Sequence, residues 1–87
     1  SAHWRDNVSI SPNPTMFNFD VNIDDKTGSR ANISIVARSG KVVAEEVQQS
    51  TKTGKININV KDLAPGDYQV IVECAGETSV RHLVIKR

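Results

Sequence analysis

Apolar side chains return at every second position along most of this chain, and a period of two places them on one face of an extended strand. Phe17, Phe19, Val21 and Ile23 alternate with Asn18, Asp20 and Asn22. The pattern recurs in Ile33, Ile35 and Ala37, in Ile56, Ile58 and Val60, and in Tyr68, Val70, Val72 and Cys74, where Ile71 breaks the row. Turn-forming clusters separate these runs: Asp24-Asp25-Lys26-Thr27-Gly28, Ser39-Gly40, Thr53-Gly54, Pro65-Gly66 and Ala75-Gly76. Short alternating runs with such punctuation describe an all-β sandwich. The reading gives about seven strands, at 8–11, 16–23, 31–38, 41–48, 55–60, 67–75 and 78–85. Val42 to Gln49 holds good helix formers in Ala44-Glu45-Glu46, but the β-branched Val42-Val43 after a glycine turn favours a hairpin strand. The expected core comprises Phe17, Phe19, Ile33, Ile35, Ile58, Tyr68, Val70 and Val72.

A chain of 87 residues is one domain with a small core, burying roughly 60–65% of its unfolded surface. Residues 8–87 make that domain, and residues 1–7, which have no period, read as a linker or a cloning remnant. Eleven basic against ten acidic residues leave a net charge of +1, which removes the attraction that nucleic-acid binding relies on. The lone Cys74 cannot close an internal disulfide and continues an inward row, so it reads as a buried, inert hydrophobe. No run reaches the roughly 20 apolar residues of a membrane helix, and no charged-then-apolar export signal opens the chain. Neither membrane insertion nor a resident cofactor is expected.

Catalytic and metal-binding constellations do not form in the sequence. His3 and His82 have no Asp, Ser or Cys at a spacing that implies a triad. Asp20, Asp24 and Asp25 lack the bidentate glutamate of a calcium loop and read as a strand residue and a solvated turn. Asn7-Val8-Ser9 and Asn32-Ile33-Ser34 match the glycosylation triplet, a pattern short enough to arise by chance. Trp4 is the one aromatic left over for sugar stacking, since Phe17 and Phe19 share a strand face and Tyr68 heads another.

Two backbone-shaping motifs stand out. Pro12 and Pro14 bracket Asn13, removing donors at alternate positions, so this segment enters a sheet only at an edge or a strand's start. In Leu63-Ala64-Pro65-Gly66-Asp67-Tyr68, Pro65 and Gly66 are expected to form a type II turn. Tyr68 then takes the corner position of immunoglobulin-like sandwiches, its hydroxyl bonding to backbone a few residues upstream and Leu63 packing beneath the ring. At the other end of the chain, Gly76 turns into a final strand whose residues Leu83, Val84 and Ile85 are apolar on both faces, followed by Lys86 and Arg87. Such a strand is either buried between two layers or presents an edge to a partner.

Together these segments resemble the type A C-terminal sorting domain of the Bacteroidetes type IX secretion system. The resemblance is carried by Pro12-Asn13-Pro14, by Gly40-Lys41-Val42-Val43, by Leu63 through Tyr68, and by the Gly76 turn leading to Arg81-His82-Leu83-Val84-Ile85-Lys86. It implies a non-catalytic, immunoglobulin-like antiparallel β-sandwich that follows an N-terminal cargo protein and directs it to the cell surface or beyond. The implied partners are the type IX translocation machinery, an outer-membrane shuttle protein and a sortase that removes the domain. The expected partner-binding residues are Leu83, Val84, Ile85, Lys86 and Arg87, with cargo and tag separated in or just before residues 1–7. Two other classes fit a small sandwich: an accessory spacer or sugar-binding module of an extracellular enzyme, and a fibronectin-like protein-interaction repeat.

Overall fold

The computed structural model describes residues 8–23, 30–49, 55–74 and 76–87. Its strands are β1 (Ser9–Ser11), β2 (Asn18–Asn22), β3 (Arg30–Ala37), β4 (Val42–Gln49), β5 (Lys55–Asn59), β6 (Gly66–Cys74) and β7 (Glu77–Ile85). Each lies within about two residues of its sequence expectation, as alternation with clear breakers should allow. The strands form two antiparallel sheets, ordered β1-β2-β5 and β4-β3-β6-β7. Residues 1–7, with the expected linker, His3 and Trp4, lie outside the described residues, as do Asp24, Asp25 and the Thr53-Gly54 turn.

Register explains the core. Phe19 faces Ile58 and Val21 faces both Ile56 and Ile10 in the small sheet, while Ile33 faces Val72 and Ile35 faces Val70 in the large one. Cross-strand pairs of this kind put one apolar row from each sheet into a shared interior. Leu83 and Ile85 join it from β7 and Cys74 from β6. On β4 a register shift beside Ile35 and Val36 leaves Val43 as an extra residue, so both Val43 and Ala44 pack against the core. Gly40 closes the β3–β4 hairpin at φ +90°, a conformation that an L side chain strains to adopt.

Three expectations need correction. Phe17 is 52% exposed, because β2 begins at Asn18 and the chain before it has been drawn to the other sheet. Thr15 makes a parallel bridge to Ile85, its side chain is buried, and its hydroxyl donates to the Asn18 carbonyl. Residues 15–17 therefore cross between sheets, and alternation does not hold across that crossing. Second, Gly66 has φ +152°, far from the roughly +80° of a type II turn, and opens β6. The hydrogen-bonded turn lies upstream, where Leu63 donates its N–H to the Val60 carbonyl at 3.0 Å. Third, Tyr68 is half-buried at the margin of the core, not within it.

Candidate recognition surface

The motifs singled out in the sequence, the Gly76 turn excepted, meet at one pole of the sandwich. Tyr68 donates its hydroxyl to the Ala64 carbonyl at 2.6 Å, fastening the β5–β6 connection to the start of β6. This is the tyrosine corner expected from the sequence. The segment around Asn13 lies along the last residues of β7. Asn13 donates Nδ2 to the His82 carbonyl at 2.8 Å, and its Oδ1 accepts from the Val84 N–H at 3.0 Å. Thr15 continues the contact, donating its N–H to the Val84 carbonyl and accepting from the Lys86 N–H, both at 2.9 Å.

Arg87 closes the pole. Its Nε donates to the Met16 carbonyl at 2.9 Å, one terminal nitrogen to the Val60 carbonyl at 2.8 Å and the other to the Leu63 carbonyl. The guanidinium carbon also stands 5.4 Å from the centroid of the Phe17 ring, within cation–π range. A planar fork of five donors suits this task, because it can reach carbonyls on two different loops at once. Arg87 thereby ties the β1–β2 crossing to the β5–β6 connection. An open groove of about 510 Å³ lies against the β3–β4 hairpin, lined in part by Val36, Arg38, Gly40, Gln69, Asp67 and His82; His82 Nε2 and Asp67 Oδ1 lie 3.3 Å apart.

The five residues expected to bind a partner divide by position. Leu83 and Ile85 are buried, because their side chains alternate into the core. Val84 is half-buried on the outer face, Lys86 is exposed, and Arg87 is exposed but holds three carbonyls. Pro12, Asn13 and Pro14 are exposed over the β7 edge, Pro65 and Gly66 are exposed, and Leu63 is half-buried. Gly76 stands apart, at the opposite end of the β6–β7 hairpin, where its φ of +78° serves the tight turn. Sequence reasoning missed Thr15 as an anchor and Met16, 55% exposed, as a neighbour of Phe17 on the surface. The available signal for Met16 was its place between the two prolines and Phe17, outside the alternating row.

Cys74 is buried at one end of β6, whereas His82 is exposed and pairs in register with Gln69 farther along the strand, so the two do not form a nucleophile and base. Asp20 accepts a hydrogen bond from Asn57 Nδ2 at 3.0 Å across the outer face of the small sheet. Among the described residues no three carboxylates, imidazoles or thiols gather in a metal-binding arrangement, and no helix is long and apolar enough to cross a membrane. The family model described as the secretion system C-terminal sorting domain matches residues 9–86. No curated protein matches the chain.

Proposed function

Because the chain belongs to the secretion system C-terminal sorting domain family, and so carries a type IX sorting signal for a secreted or cell-surface protein, we propose that the signal is read at the pole where its motifs converge. The observation that carries this reading is the clasp of Arg87 on Met16, Val60 and Leu63. Residues far apart in sequence are held in one surface that exists only in the folded domain. Its accessible side chains are Met16, Phe17, Val84 and Lys86. Apolar groups beside a cation suit a docking site in which burial supplies affinity and charge supplies orientation. Leu83, Ile85 and Arg87 serve recognition indirectly, by holding that surface in shape.

On this reading the fused cargo is carried across the outer membrane by the type IX machinery and the domain is handed to an outer-membrane shuttle protein. A surface sortase then separates cargo from tag in or just upstream of residues 1–7. The domain contributes no chemistry of its own. Support for these steps comes from the family resemblance.

The test is secretion of a reporter fused to residues 1–87 in a host with the type IX pathway. It is compared with the variants Val84→Thr/Lys86→Ala and Met16→Ser/Phe17→Ser, each first shown to be folded by circular dichroism. Both variants are expected to accumulate in the periplasm. Secretion of both at the unaltered level would place recognition elsewhere on the domain, and failure of the unaltered fusion would count against the functional reading itself.

A further inference from the structure

The outer main-chain edge of β7 is covered over part of its length, and by an irregular element. In the β6–β7 ladder, alternate residues of β7 pair inward while Thr78, Val80, His82 and Val84 point their N–H and C=O groups outward. Over the last part of the strand, Asn13 and Thr15 occupy that edge through four hydrogen bonds. Pro12 and Pro14 have no N–H to offer, so the carboxamide of Asn13 does what a neighbouring strand's backbone would do. Pro12, Asn13 and Pro14 are exposed, with Thr15 the buried anchor. Farther up, Arg81 donates to the carbonyls of Val80 and Val8. Among the described residues no main-chain group pairs with Thr78 or Val80 on that side.

We infer that residues 12–15 form a displaceable strap over β7, and that its release opens a strand-addition edge from His82 to Lys86 for an extended segment of the translocation machinery running parallel to β7. The inference rests on the reading of this domain as a type IX signal. Orientation follows from Thr15, whose pairing with Ile85 is already parallel and shows which direction the edge accepts. Composition follows from the flanking side chains. Half-buried Val84 calls for an apolar residue at the matching position, and exposed Lys86 favours a carboxylate beside it. While closed, the strap keeps the edge from pairing with other chains. A partner that binds only the open form has its apparent affinity reduced by the fraction open, so loosening the strap should strengthen docking in proportion.

Amide hydrogen exchange on the isolated 1–87 domain tests the strap. In the unaltered protein, the Val84 and Lys86 amides should exchange by local opening, faster than Leu83, which bonds to β6. Asn13→Ala removes both carboxamide bonds and should speed exchange at Val84 and Lys86 by about tenfold, leaving Leu83 unchanged. Asn13→Asp keeps the acceptor for Val84 and loses the donor to His82, and should fall between. Equal exchange at Val84 and Leu83, or a uniform response to the substitutions, would show the strap to be a fixed part of the fold. The second arm follows the periplasmic lifetime of the three reporter fusions, expected to shorten in the order unaltered, Asn13→Asp, Asn13→Ala. An unchanged or longer lifetime for Asn13→Ala, with its strap shown to be open, would overturn the gating role while leaving the sorting function standing. No secretion of the unaltered fusion would remove the functional premise and this role with it, whatever the exchange data show about the strap.

Discussion

The guanidinium of Arg87 satisfies three main-chain carbonyls on two loops, more than an ordinary surface cation achieves. Charge-assisted bonds from a rigid fork lose less side-chain freedom per contact than three separate groups would. Arg87→Ala should therefore lower stability by about 1–2 kcal/mol, a shift of roughly 5–15 °C in Tm for a domain of this size. Arg87→Lys should recover little of it, because an ammonium cannot address carbonyls on both loops at once. Thermal melts of the three proteins decide the matter, and equal midpoints would mean that the clasp holds nothing together. Nothing local marks this arginine in the sequence, since its partners lie 24 to 71 residues away.

Among the elements, β7 serves two ends. Its inward side chains Leu83 and Ile85 complete the core, and its outer edge carries the strap. Removing residues 83–87 thus deletes two buried aliphatic side chains and the clasp together. Each large aliphatic loss costs about 2–5 kcal/mol, and a small domain has only about 5–15 kcal/mol in total. The truncated chain is expected to lose its β-type circular dichroism, and a cooperative melt in that protein would show that the end of β7 is dispensable to the core. Secretion failure on truncation would then report unfolding, so recognition has to be tested by substitutions at Val84 and Lys86. The apolar run 83–85 left burial and an exposed edge open as alternatives, and the structure combines them in one strand. Alternation told which residues share a face, but not that β7 ends its sheet or that residues 12–15 would lie against it.

At the scale of the whole molecule, two apolar faces close on each other and enclose Cys74, which is 2% exposed. A thiol in that position reacts only when the domain opens. Labelling with an aromatic disulfide reagent should be slow in buffer and fast in denaturant. Rapid labelling of the native domain would show that the end of β6 is looser than its packing implies. The same enclosure gives the domain its single interior, with no disulfide to reinforce it, so the fit between the two sheets has to supply the stability.

The sequence by itself determined the seven strands, the inward rows, the glycine of the β3–β4 hairpin and the tyrosine corner, because each depends on residues within a few positions of one another. It was also enough to match the family model over residues 9–86. Tertiary structure alone decided that Phe17 leaves the core, that Asn13 stands in for a strand, and that the motifs of both chain ends share one pole. Phe17 obeys the local period, yet the buried bridge of Thr15 to Ile85 in the opposite sheet pulls the chain out of β2 before the pattern can act. A period of two fixes the sides of a strand relative to each other, whereas sheet membership, edges and crossings are set by contacts between distant segments, which no local pattern encodes.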